Sequence, residues 1–504
     1  MIMAQEQAIL KAQEQFAQIQ HLVRQAGDAG RRIDQIESEL WGWMLQLGRQ
    51  LLAGYVAGYR HGDLGPTLEQ DGRVLRRLEQ PHVRRYVSIF GPIEISRYVY
   101  GTRETQKHEV IPLDAILALP DSEFSYVLQD WDQGLCVRDS YAESQGTIQR
   151  ILRLEQSVLS LERMNSQMAT AVEPFWAQQP TAAEPEGPIL VLTADGKGVP
   201  MRGADGGAQP VRRKKGQKAN PKREACVGGV YTIAPFVRRA EEVVDEILRK
   251  KCQARRPPPQ NKKLHAELTR VSAGQETSGK DRIFGWFAEQ IRARNGGGDR
   301  PIIAVCDGDR ALWEKVQALM QMVGLPIFCV LDIYHVMERL WVAAHCFHPE
   351  GSAEAKAFVA ERLRRVLEGD VGYVIGGLKQ MGTKHPLKSS QRQRLVKVIT
   401  YLENNRSYLR YDVCLAQGYP IGSGVVEGAC RHVVKDRMEG TGMHWCIAGA
   451  QSMLHLRAIH LNGEWDAFQR YRIETATQQR YPYRPFVHRL FKKSLESDHP
   501  RQRP

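Results

Sequence analysis

The chain has 504 residues, more than one ordinary core accommodates, and 42% of them are hydrophobic, the share of a globular protein. Its formal net charge of +13 points to a polyanionic partner, most simply nucleic acid. No apolar run reaches bilayer length, the start MIMAQEQAILKAQEQ lacks a signal-peptide pattern, and nine scattered cysteines form no CxxC pair. A membrane span, secretion, disulfides and a cysteine-spaced zinc site are therefore not expected, and the expected location is cytoplasmic.

Residues 31–62 read as a long helix, because Ile33, Ile36, Leu40, Trp43 and Leu47 alternate steps of three and four. Ordinary bundle packing is the simpler reading of that stripe, and dimerisation the other. RRYVSIFGPIEISRYVYG holds two β-rich runs around Gly91-Pro92 and reads as a hairpin. RDSYAESQGTIQRILRLEQSVLSLERMNSQMA, residues 138–169, reads as two helices joined by a short turn, with Ser157 as cap of the second. It is either a helix-turn-helix that enters a major groove or a packed pair without DNA contact. EPFWAQQPTAAEPEGP then reads as a linker and as the best domain boundary.

Beyond it the pattern is α/β. PILVLTADGKGV predicts a buried strand ending at Asp195, and ACVGGVYTIAP a second strand over 226–233. DRIFGWFAEQIRARNGGG predicts an amphipathic helix closed by glycines. RPIIAVCDGDRALWEKVQALM and LPIFCVLDIYHVMERLW each predict a strand, ending at Asp307 and Asp332, followed by a helix. Cys306 and Cys329, inside these strands, read as core residues. Residues 340–416 read as helical, and the Arg-, Tyr- and Pro-rich tail 466–504 as weakly structured.

Three aspartates at strand ends are informative because ligands of open α/β sheets bind there. A single strand–Asp–Gly is weak, since Asp-Gly also makes ordinary turns. Two such units and a glutamate on a later helix are more specific. Convergent carboxylates can hold two divalent metals about 3.5–4 Å apart for phosphodiester chemistry, and hard oxygen ligands favour Mg²⁺ or Mn²⁺. The glutamate is Glu427 in PIGSGVVEGACRHVVKDRM, where Glu427, Arg431 and Lys435 are spaced to share one helical face. Ser423 is a natural N-cap there, Gly422 and Gly424 allow the turn into the helix, and His432 points away and takes no role.

Other basic stretches fit a nucleic-acid partner. VRRKKGQKANPKR, with Arg212, Arg213, Lys214, Lys215 and Lys218, reads as a DNA-tracking loop or a solvated hairpin tip. RRPPPQNKK reads as a stiff basic linker. QQRYPYRPFVHRLFKK interleaves aromatics with arginines, which suits nucleic-acid contact or packing on a partner subunit.

The motifs ADGKGVPMR, KREACVGGVYTI, VCDGDRALW, LDIYHVMERLW, YLENNRSYLRYD and PIGSGVVEGACRHVVKDRMEGTGMHW resemble the ISKra-type insertion-sequence transposases, which are related to the mutator-like DDE group. The resemblance implies an α/β protein with an RNase H-like catalytic core and a helical insertion, preceded by a mostly helical DNA-binding region. It implies Asp195, Asp307 and Glu427 as catalytic acids and metal ligands for two Mg²⁺ or Mn²⁺ ions. Asp332 and His335 match the D-x-x-H motif and would sit beside those ligands, orienting them or DNA. Arg431 and Lys435 would grip DNA phosphates. Many relatives carry a cysteine pair after the N-terminal hairpin; this chain has no cysteine before Cys136.

The implied layout is a helical or dimerisation region (1–75), a hairpin and helix-turn-helix-like region (76–180), the first part of the core (186–345), the insertion (346–416), the closing helix (417–465) and a basic tail (466–504). The implied activity is binding of terminal inverted repeats, metal-dependent hydrolysis and strand transfer to target double-stranded DNA, by a homodimer or larger assembly at the nucleoid. The alternatives are a non-catalytic DNA-binding relative, and a HAD-type phosphatase built on Asp307 and Asp309. The second leaves Glu427 unused and has Ala311 where that fold wants Thr or Val.

Overall fold

The computed structural model describes residues 2–70, 72–102, 110–179, 186–203, 222–248, 256–272 and 275–498. They form two compact units, Met1–Ala171 with Trp465–Pro504, and Val172–Glu464. Among the described residues no helix is long and apolar enough to cross a membrane.

In the first unit, helices Ile2–Asp28 and Ile33–Ala57 pack along each other, and the chain reverses near Gly30 at φ +62°. The apolar stripe of the second is half-buried at Ile36, Leu40, Trp43 and Leu47, whereas Ile33 stays 81% exposed. The expected hairpin is His82–Ser88 paired with Gly91–Arg97. Helices Tyr126–Cys136, Tyr141–Leu152 and Val158–Ala169 pack on one another. Ser157 caps the last as expected, its Oγ accepting the Ser160 N–H at 3.0 Å.

The tail corrects the expectation of weak structure. It forms helices Trp465–Arg480 and Arg484–Asp498. Val487 and Phe491 are buried with Leu68, Leu75 and Tyr100, the Phe491 ring stacks on Tyr59, and the Tyr481 hydroxyl donates to the Leu119 carbonyl. Several of the tail's aromatics are core side chains of this unit.

The second unit is built on a five-stranded sheet: β1 (Ile189–Pro200), β2 (Lys222–Ile233), β3 (Gln260–Leu268), β4 (Ile302–Cys306) and β5 (Ile327–Leu331), in the order β5-β4-β1-β2-β3. β1, β2 and β3 are antiparallel neighbours, and β4 and β5 run parallel to β1. Their apolar runs make one core with Phe287, Ile291, Val336 and Leu340 from helices α1 (Gly279–Asn295) and α3 (Ile333–Phe347). Helix α2 (Arg310–Val323) links β4 to β5.

Three expectations change here. β1 does not end at Asp195 but continues to Pro200, paired with β2 throughout. The second half of RRPPPQNKK is the start of β3 rather than linker. The expected interdomain linker begins as helix Val172–Gln178, with Phe175 buried. The segment expected to be helical holds Ala353–Leu367, Val371–Lys384, Ser389–Asn404 and Tyr411–Gln417. Helix α4 (Gly424–Cys430) follows, then a π turn at Arg431–Lys435 and helix α5 (Ile447–Leu461).

Candidate active site

The register of the sheet aligns the three aspartates. Ala194 pairs with Cys306 and Cys306 with Leu331, so Asp195, Asp307 and Asp332 each follow one paired row. Parallel strands keep such a row in step.

Asp195 is half-buried and accepts a hydrogen bond from the Cys430 thiol. Desolvation raises its pKa above the ordinary carboxylate value, and the Asp307 charge raises it further. The Cys430 thiol, the Gly196 N–H and the His335 ring pull the other way. Burial and the Asp195 charge push the Cys430 pKa up, so it remains a protonated donor. Cys430 thus ties the last turn of α4 to β1, and α4 packs against both β1 and β2. Glu427 lies on α4; its side chain is outside the described residues.

Asp307 is also half-buried. Its Oδ1 accepts the Asp309 N–H at 2.9 Å, and its carbonyl accepts the Tyr401 hydroxyl at 2.8 Å. Gly308 turns the chain at φ +89°; a Cβ there would lie 2.8 Å from Leu331 Cδ1 and 2.9 Å from the Tyr401 oxygen. Asp309 caps α2 through the Ala311 N–H and bonds Lys280 Nζ at 2.9 Å, so its carboxylate is occupied.

Asp332 is different, being only 1% exposed. Oδ1 accepts the Tyr334 N–H at 2.8 Å, capping α3. Oδ2 accepts the Ser423 N–H at 3.1 Å and also the Ser423 hydroxyl. His335 is half-buried, 3.6 Å from Glu338, and is the member of the D-x-x-H pair that acts on Asp195.

The sequence reading puts Glu427, Arg431 and Lys435 on one face of a regular helix, and the π turn at Arg431–Lys435 modifies this. A π turn closes i→i+5 bonds and rotates each residue less than an α turn, which offsets the drift of four-residue steps. Arg431 and Lys435 are both exposed; Arg431 reaches Asp436 at 3.5 Å and His432 bonds the same carboxylate at 2.9 Å. Arg212, Arg213, Lys214, Lys215 and Lys218 lie outside the described residues.

Sequence reasoning gave no role to Cys430, Tyr401 or Tyr411. The Tyr411 hydroxyl donates to the Leu331 carbonyl at 2.6 Å, so two tyrosines of YLENNRSYLRYD hold the backbone at the ends of β4 and β5. The motif was visible; its contacts, 80 and 94 residues away, were not. No protein-family model matches the chain, and no curated protein matches it.

Proposed function

We propose that the chain is a DDE-type transposase whose second unit is an RNase H-like core. The observation that carries this reading is the adjacency of Asp195 and Asp307, close enough for one charge to raise the other's pKa, with α4 hydrogen-bonded to Asp195 through Cys430. The strand order supports it: three antiparallel strands continued by two parallel ones is the order of RNase H-like cores.

Two neighbouring carboxylates suit hard divalent cations, and among the described residues neither is paired with a lysine or arginine. Asp195, Asp307 and Glu427 would hold Mg²⁺ or Mn²⁺, which in such a site activates the attacking hydroxyl and stabilises the leaving oxygen. Cys430 orients Asp195. Asp332, through Ser423, fixes the entry to α4. Arg431 and Lys435 offer exposed cations to phosphates flanking the cleaved bond, and the sequence of the basic segment 212–223 suits the same polyanion. Two element ends must be processed together, which requires a dimer or larger assembly. The phosphatase reading is disfavoured because Asp309 is committed to capping α2 and to Lys280.

The test is to incubate the full chain with duplex DNA carrying its element's ends and Mg²⁺, and to look for nicks that leave 3′-OH termini. Absence of metal-dependent products would favour a DNA-binding protein without catalysis.

A further inference from the structure

Edge strand β3 is covered by α5 through side chains rather than by another strand. Gln451 accepts the Leu268 N–H at 2.8 Å and donates to the Ala266 carbonyl; Asn462, which ends α5, accepts the Leu264 N–H at 2.8 Å and donates back to its carbonyl at 3.0 Å. Such pairing satisfies an otherwise open edge. Between these clamps lie three buried groups that the proposed reaction does not use.

His265 and Glu267 stand two residues apart on β3 and so share a face, and His455 comes from α5. Both imidazole Nε2 atoms converge on one oxygen, Glu267 Oε1, at 3.0 and 2.9 Å, and all three atoms lie within 4.8 Å of one another. Zinc bonds of about 2.0–2.2 Å in a tetrahedron separate neighbouring donor atoms by about 3.3 Å, and the two imidazole–carboxylate separations lie within a few tenths of an ångström of that spacing. The other oxygen of Glu267 accepts Arg270 at 3.1 Å, the kind of outer contact that orients a ligating carboxylate. Arg282 lies 3.9 Å from Oε1, but its close partner is Glu173. Trp176 and Trp286 flank the His265 ring at 4.5 and 5.1 Å between centroids, fixing its orientation. His265 also lines a cavity of about 1020 Å³.

We propose that His265, Glu267 and His455 form a zinc site that staples α5 to the edge strand β3. Two imidazoles and one carboxylate are a zinc donor set, and the site shares no residue with the Asp195–Asp307 pair. It serves structure: the metal joins the strand farthest from β5 to the helix that follows α4.

The experiment is metal analysis of the full chain, purified without a polyhistidine tag, equilibrated with Zn²⁺ and freed of loosely bound ions. Wild type should retain about one zinc per chain. Asp195→Asn should retain it too, whereas His265→Gln and His455→Gln should lose it. A chelator should lower the melting temperature of wild type but not of His455→Gln. Wild type that holds no zinc, or zinc that survives His455→Gln and disappears in Asp195→Asn, overturns the proposal and leaves a hydrogen-bonded His–Glu–His cluster.

Discussion

Ser423 gives both its backbone N–H and its hydroxyl to one carboxylate oxygen of Asp332, across 91 residues of sequence. The other oxygen caps α3. A carboxylate so fully engaged is poorly placed to bind a metal. It acts instead as a latch between the end of β5 and the entry to the helix that carries Glu427. This separates the roles of two aspartates that look alike in sequence.

Asp332→Asn puts an amide N–H against the Ser423 donors. The variant should lose about 1–3 kcal/mol of stability, because a buried acceptor is removed from waiting donors. DNA cleavage should fall about 10–100-fold without vanishing. Ser423→Ala should give a smaller loss in the same direction, and the double variant less than the sum of the two, since neighbouring sites couple. Denaturant unfolding and cleavage rates of the four proteins check this; strict additivity would mean that the two side chains do not act together.

The turn after β4 needs a glycine. Gly308→Ala strains a residue at φ +89° and pushes its methyl against Leu331 and Tyr401. It should destabilise by more than about 1 kcal/mol. Tyr401→Phe loses only the bond to the Asp307 carbonyl, a change of about 0.5–1.5 kcal/mol. Unfolding midpoints of the two variants give the comparison, and equal effects would contradict it.

Asp132, in the first unit, is fully buried, and desolvation lifts its pKa from 3.8 to about 7, against a weaker opposing contact from Gln156. A raised carboxyl stabilises the fold only while protonated. Its contribution is full below the unfolded value and is lost as pH rises through about 7. Asp132→Asn cannot ionise, so it should be more stable than wild type at about pH 8 and lose that advantage towards about pH 4. Unfolding curves across this range decide the point, and a pH-independent difference would show that Asp132 stays ionised.

Neutralising Arg431 and Lys435 together should weaken binding of specific and random duplexes alike and lower the slope of affinity against salt by about one per lost phosphate contact. Neutralising Arg212, Arg213, Lys214 and Lys215 should act in the same direction. An unchanged slope would remove the altered group from the DNA path.

β4 and β5 were legible because IIAVC and IFCVL are continuous apolar runs, as parallel strands covered on both faces require. β3 was not, because its first half, QNKK, is polar and exposed or half-exposed, and its buried half meets polar side chains of α5. The end of β1 was misplaced because the Gly196–Gly198 stretch reads as a turn. It is strand because Glu224 and Lys222 cross over those two glycines, where a Cβ would lie within 2.4 and 2.9 Å of them. The tail misled for another reason: alternating arginines and aromatics describe a DNA-facing surface and a small packed core equally well. In the candidate site the strand ends before Asp307 and Asp332 were readable, while the partners that distinguish the aspartates, Ser423 for Asp332 and Cys430 for Asp195, depend on long-range contact.

The central claim is that Asp195 and Asp307, with Glu427, carry out metal-dependent cleavage of DNA while Asp332 only supports them. The measurement that tests it most directly is the single-turnover cleavage rate of element-end DNA in Mg²⁺ by wild type, Asp307→Asn and Asp332→Asn, side by side. The account predicts 3′-OH products from wild type, a slowed but measurable rate from Asp332→Asn, and none from Asp307→Asn, which should still bind the DNA. Cleavage by Asp307→Asn at a rate near that of wild type would contradict it, as would activity abolished by Asp332→Asn alone.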